Sequence, residues 1–172
     1  IIERHWKAMT RWMDYLLKSN PDYHRVNGLG QNYGDWLSIP ADESFGTTSP
    51  MKELLATAFW ALDARYMAEM AAACGKRRET SRYSDLFEKV KSKFQEKYVL
   101  ADGRMAVETQ TAYLLALAFE LLPQDMRAKA AAHLVENLKN NGWHLSTGFI
   151  GVRLLNPVLT QMGYADVAYR LL

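Results

Sequence analysis

One cysteine, Cys74, stands among 172 residues, so no disulfide can form within a single chain. An excess of charge of either sign is also missing. Lysine and arginine number 21 against 19 aspartates and glutamates, a formal net charge of +2, which gives no basis for binding nucleic acid or an anionic membrane. No apolar run approaches the roughly 18 residues that span a bilayer, and no signal-peptide pattern is present. The four histidines, His5, His24, His133 and His144, are scattered without metal-ligand spacing, so neither a metal nor a cofactor is expected. The composition is not that of a disordered chain: 49% hydrophobic and 12% aromatic residues supply enough apolar surface to offset chain entropy. Ile1-Ile2 without a methionine and the closing Leu171-Leu172 suggest a piece of something longer.

Seven helices are predicted and no sheet. The first, about Glu3 to Ser19, puts Trp6, Met9, Met13, Leu16 and Leu17 on one face at helical spacing, and Asn20-Pro21 ends it. About thirty turn-rich residues follow, with Tyr23, Tyr33, Trp36 and Phe45 among them. A loop of that length with that many aromatics reads as ordered and functional. Ser49-Pro50 opens the second helix with an N-cap and a first-turn proline, and Gly75 closes it. The third spans about Thr80 to Tyr98, the fourth Thr109 to Leu122 before Pro123, and the fifth Gln124 to Asn141 before Gly142. A sixth runs from about Ile150 to Met162 with a kink expected at Pro157, and a seventh starts near Ala165.

Helices two, four and six are apolar nearly all round, and a helix apolar on every side is buried on every side. Helices three, five and seven carry a charged face. Buried and half-buried helices alternating in antiparallel hairpins give an inner ring wrapped by an outer one, the architecture of an all-α, α/α toroid. Residues 1–172 form part of one such domain with no internal boundary, about half of the ring. An α-solenoid is the alternative, but the spacing of the helices is uneven and no repeat signature recurs.

In a toroid the loops entering the inner helices share one rim. Those loops hold Tyr33-Gly34-Asp35-Trp36-Leu37, Glu108-Thr109-Gln110 and Trp143-His144-Leu145-Ser146-Thr147-Gly148-Phe149, whereas the opposite connections are short and plain. Aromatics mixed with carboxylates, amides and an imidazole suit carbohydrate, whose rings offer an apolar face to Trp and hydroxyls to polar groups. The candidate substrate-binding residues are Asp35, Trp36, Tyr33, Trp143 and His144. Three of them have a plainer reading: Trp36 as an anchor under its own loop, Asp35 as a turn or cap, Trp143 as a staple onto the sixth helix. Asp35 and Glu108 also raise the question of a glycosidase pair, which needs carboxylates about 6.5–9.5 Å apart for inversion or about 5–5.5 Å for retention. Capping of the fourth helix is the simpler role for Glu108. Ser49-Pro50-Met51-Lys52 lacks the companion motifs of penicillin-recognising enzymes, and Gly28-Leu29-Gly30 follows no strand. Lys76-Arg77-Arg78 reads as a solvated corner.

Taken together, Tyr33 to Leu37, Glu108 to Leu117, and His144 to Gly151 with Leu154 to Leu159 resemble the catalytic domain of bacterial α-L-rhamnosidases, a family of glycoside hydrolases. The resemblance covers the whole chain in order. It implies a six-hairpin toroid that removes terminal α-L-rhamnose with inversion, a glutamate general acid upstream of Ile1 and a glutamate general base downstream of Leu172. The catalytic groups would thus lie outside this segment, which would be inactive alone. Trp36 would wall the rhamnose pocket with Asp35 nearby, and His144 and the Thr147-Gly148-Phe149 turn would line or support the rim. The expected partners are a rhamnose-containing glycoside and the remainder of the same polypeptide. A helical interaction module with an aromatic-lined groove is the reading from another class. Tyr33, Trp36 and Trp143 converging at one rim would favour the enzyme. The segment by itself should expose apolar surface and dissolve poorly.

Overall fold

The computed structural model describes residues 1–40 and 48–172. Phe45, counted above among the loop aromatics, lies outside the described residues. Among these residues seven α-helices follow in order: α1 (Ile2–Ser19), α2 (Pro50–Ala73), α3 (Arg77–Tyr98), α4 (Gln110–Ala118), α5 (Arg127–Asn140), α6 (Phe149–Gln161) and α7 (Ala165–Arg170). A short 3-10 turn, Gln124–Met126, leads into α5. Among the described residues the one extended pairing is an isolated antiparallel bridge, Val99 to Met105, around the Asp102-Gly103 turn. No described helix is long and apolar enough to cross a membrane.

Packing follows the sequence pattern. Helices α2 and α3, α4 and α5, and α6 and α7 pair as successive hairpins, while α2 touches α4 and α4 touches α6. That is an inner row, α2–α4–α6, with α3, α5 and α7 outside it. Every residue of α4 from Gln110 to Leu117 is buried, and α2 is buried nearly all round from Met51 to Leu62 but on one side only beyond it, at Ala64, Met67, Ala68 and Ala71. Helix α1 lies against this frame through Met13 and Leu16, with Trp6 edge-on to Tyr83 of α3. The sixth helix departs from expectation. Only Gly151, Leu155, Val158 and Leu159 are buried, because α4 and α7 cover one side while Phe149 and Val152 face outward.

Helix ends are set by local chemistry. The Ser49 hydroxyl accepts from the Lys52 amide, and Thr109 does the same for Ala112, satisfying amides that a helix start leaves without partners. Thr109, not Glu108, therefore caps α4. Helix α4 stops at Ala118, short of Pro123, because Glu120 turns into the left-handed region (φ 59°) and Leu121 bonds back to the Ala116 carbonyl. Helix α3 begins at Arg77, so the basic corner is its first turn, with the Lys76 ammonium over the Trp6 ring. Pro157 sits within α6, which continues to Gln161. The long first loop is held from its start by Asn20. Its buried side chain accepts from the Val26 and Asn27 amides and donates to the Leu16 carbonyl.

Tyr113, in the middle of the inner row, is fully buried, and its hydroxyl accepts from the Met105 amide at 3.4 Å. Burial pushes this phenol up to about 12. In the unfolded chain it ionises near pH 10. Its contribution is therefore complete below about pH 10 and is lost as pH rises toward 12, because the unfolded state releases its proton first. The urea midpoint should fall across that window, and Tyr113→Phe should flatten the fall.

Candidate functional site: an aromatic rim pinned by a buried aspartate

The loops that enter α2, α4 and α6 meet at one end of the inner row, and residue 35 ties them together. The first amides of α6 have no partners within the helix, and Gly148, its N-cap, has no side chain to offer. The acceptors come from the loop more than a hundred residues earlier. One Asp35 oxygen accepts from the Gly148 amide at 2.7 Å, and the other accepts from Ile150 at 2.8 Å and Gly151 at 3.3 Å. The Trp36 carbonyl takes the remaining amide, that of Phe149, at 2.9 Å. A fourth donor to Asp35 is the Thr111 hydroxyl, from the first turn of α4. A carboxylate at a helix N-terminus is also favoured by the helix dipole.

This arrangement decides what Asp35 can do. It is 2% exposed, and its two oxygens already accept four hydrogen bonds, about the full capacity of an ionised carboxylate. No lone pair remains for a sugar hydroxyl or for proton transfer. Asp35 serves as the pin of the rim.

Its neighbour points the other way. Trp36 is 51% exposed, Tyr33 55% and Phe149 59%, and their rings form one patch. The Tyr33 and Trp36 centroids lie 6.3 Å apart, and those of Trp36 and Phe149 5.4 Å apart at 52°. Asp35 therefore sets the wall as well as the helix, because Trp36 follows it directly and Phe149 lies between the amides that it binds.

The other loops are fastened by α4. Gln110, 1% exposed, donates to the His144 carbonyl at 3.1 Å and accepts from the Ser146 amide at 2.8 Å. The Ser146 carbonyl accepts from Ile39, back in the first loop. Consecutive residues at the start of α4 thus hold three things: Thr109 its own helix, Gln110 the loop before α6, and Thr111 the aspartate. His144 is exposed on this rim, its ring near Gly142. Trp143 is on the same loop but does not join the patch. Its backbone is left-handed (φ 65°), its ring packs partly buried against the core, and the Arg170 guanidinium of α7 sits 3.9 Å over it. Of the residues singled out from sequence, Tyr33 and Trp36 come together, Asp35 lies beneath them, and Trp143 and His144 stand apart. Phe149 was expected only within the Thr147-Gly148-Phe149 turn that lines or supports the rim, and the clamps Gln110 and Thr111 were not singled out. Each was in view only as part of a longer motif, and no spacing rule marks a residue whose partner is distant in the chain.

Among the described residues, no group of His, Cys, Asp and Glu is placed to hold a metal ion. Beside the aspartate opens a pocket of about 220 Å³, lined among others by Ser38, Glu108, Asn137, Asn141 and Ser146.

An inner row of apolar helices with outer partners, and loops gathered into an aromatic rim at one end, define a hairpin-built α/α toroid domain of the glycosidase type. Residues 1–172 match the family described as the bacterial alpha-L-rhamnosidase 6 hairpin glycosidase domain, and the chain belongs to that family. An α-L-rhamnosidase of Streptomyces avermitilis is 42% identical over 161 residues, covering 94% of this chain and 14% of that protein. One from Formosa agariphila is 31% identical over 174 residues, covering 100% of this chain and 18% of that protein. Among solved structures, the S. avermitilis α-L-rhamnosidase complexed with L-rhamnose superposes with a TM-score of 0.84 at 39% identity, over 96% of this chain and 15% of that one. The α-L-rhamnosidase from Dictyoglumus thermophilum gives 0.86 at 28% identity, over 99% of this chain and 19% of that one. The chain thus spans less than a fifth of the length of these relatives.

Proposed function

We propose that this chain is the sugar-walling part of an inverting α-L-rhamnosidase, acting on terminal α-L-rhamnose in glycosides. The observation that carries the reading is the exposed patch of Tyr33, Trp36 and Phe149, held at one rim by the buried Asp35. A deoxy sugar has broad apolar faces, and an exposed indole flanked by two rings is suited to stack on one of them while the hydroxyls stay free for polar partners. The relatives' names and the rhamnose complex of one of them supply the sugar. His144 is assigned to the polar edge of the same rim.

Hydrolysis with inversion needs one carboxylic acid to protonate the leaving oxygen and a second carboxylate to activate water from the opposite face. Asp35 is neither, since its acceptor sites are filled. Both groups are assigned to parts of the same polypeptide outside residues 1–172. The role of this segment is then to orient the sugar and exclude water.

The test is hydrolysis of an aryl α-L-rhamnoside by the natural polypeptide carrying these residues. Trp36→Ala should lower kcat/KM roughly thirtyfold, the worth of about 2 kcal/mol for an aromatic anchor, with the melting temperature little changed. Unchanged kinetics would remove Trp36 from the wall, and an inert wild-type protein would remove the rhamnosidase reading. The anomer formed first, followed by NMR, reports inversion directly.

A further inference from the structure

We propose that the groove between α1 and α2 seats an apolar helix from the stretch of polypeptide that precedes Ile1, and that Asp63 in the groove takes a hydrogen-bond donor from that helix. The proposal goes beyond the rhamnosidase reading and does not rest on it.

Met9, Trp12 and Met13 recur at helical spacing along one side of α1, and Tyr66, Met67 and Met70 along the facing side of α2. Between them opens a groove of about 410 Å³. Trp12 is 44% exposed and Tyr66 48%, and a contiguous apolar patch of this kind marks a surface that another element covers. Helix α2 shows the same gap along its length. Its sequence stays largely apolar beyond Leu62, yet Tyr66, Met70, Ala72 and Ala73 lie exposed or half-buried there. A helix laid between the side-chain ridges of two others would bury them, and unbranched methionines adapt their shape to such a neighbour.

The order of the helices says what belongs in the groove. In each described hairpin the inner helix comes first and its outer partner follows: α2 then α3, α4 then α5, α6 then α7. Helix α1 has an outer kind of surface, with Arg4, Lys7, Arg11 and Lys18 exposed, but no described inner helix comes before it. The described lining of the groove includes no residue of α4, so the groove lies off the α2–α4 contact and gives the inner row a further place. The relatives have chain to spare for such a helix, since this one covers 14% of one and 18% of another.

Asp63 makes the groove more than an apolar slot. It is the one charged residue in the described lining. One of its oxygens accepts from the Trp12 indole at a long 3.4 Å, and the other has no described partner. Burial pushes its carboxyl above the usual range, against the pull of the Trp12 bond and the Arg25 guanidinium. A carboxylate taken from water needs donors to offset the loss. One carboxylate among methionines and aromatics therefore selects an apolar helix with a hydroxyl, amide or cationic group at that level.

The test uses the natural polypeptide carrying these residues. Tyr66 is replaced by the photo-crosslinker p-benzoylphenylalanine, and the folded protein is irradiated. Mass spectrometry should place the cross-link within about 30 residues before Ile1, the length of a helix and its connection. A cross-link to any other part of the chain, a product of doubled mass, or no cross-link overturns the seat. Met70→Cys gives a second measurement where bulk at position 66 disturbs folding. Maleimide labelling at that position should be about a hundredfold slower in the folded protein than in urea, and equal rates overturn the seat as well. Adding Asp63→Ala should speed labelling about tenfold, the scale of one hydrogen bond to a charged group. Trp12→Phe removes only the bond within this chain and should change the rate less than about threefold. An unaltered rate in Asp63→Ala, or an equal rise in both variants, overturns the donor to Asp63.

Discussion

Asp35→Ala should destabilise the domain by about 4 kcal/mol, lowering the melting temperature by roughly 10–15 °C for a chain of this size. The aspartate accepts three backbone amides and one hydroxyl in a site where it is 2% exposed. Hydrogen bonds to a charged group contribute about 1.5–3 kcal/mol each, and each buried donor left without a partner costs further. The sum exceeds the expected effect because the opened loop lets water reach the α6 amides. Asp35→Asn separates shape from charge. It keeps the volume but turns an NH₂ toward donors that need acceptors, so it should recover less than half of the loss. Thr111→Val removes one donor and should cost about 1–2 kcal/mol. If the carboxylate organises all four bonds, the double variant with Asp35→Ala will be no worse than Asp35→Ala alone, a coupling that urea midpoints resolve. Additive losses would mean that Thr111 acts independently of the pin.

The division of labour inside Gly34-Asp35-Trp36 shows what a sequence can and cannot display. All seven helices were legible, because their signals are local: the Ser49-Pro50 start, the left-handed glycines 75 and 142, and apolar runs that mark α2 and α4 as inner. The end of α4 was not. A left-handed Glu120 stops the helix well before Pro123, and glutamate carries no signal for that conformation. Loop chemistry was legible in type but not in direction. Asp35 and Trp36 both stood out as rim residues, yet one faces the core and the other solvent, which depends on α6 amides lying 113 to 116 positions away. Trp143 shows the same limit. The sequence places it on the rim, but only the packing of α7 brings Arg170 across its ring. Phe149 became a wall residue because the outward side of α6 has no described neighbour, which an apolar pattern alone cannot reveal.

Gly148→Ala should cost about 3 kcal/mol or more, well beyond Gly30→Ala, although backbone angles alone suggest the reverse order. Gly148 has an ordinary φ of −87°, which alanine adopts without strain. Gly30 is left-handed (φ 62°), where an added Cβ costs about 1–2 kcal/mol. Space reverses the order. A Cβ on Gly30 meets nothing within 4 Å, whereas one on Gly148 would lie 2.2 Å from the Trp36 oxygen and 2.4 Å from the Asp35 oxygen. Those are backbone atoms, so no side-chain rotation relieves the overlap, and the first loop must lift from the start of α6. Lifting it stretches the Phe149-to-Trp36 bond and the Gly148-to-Asp35 bond together, now 2.9 and 2.7 Å. The loss should therefore resemble that of Asp35→Ala in size and overlap with it. Combined with Asp35→Ala, the glycine change should add less than half of its single effect, because the loop is already released. Urea midpoints of the four proteins test this, and full additivity would show that close approach and the carboxylate stabilise the rim separately.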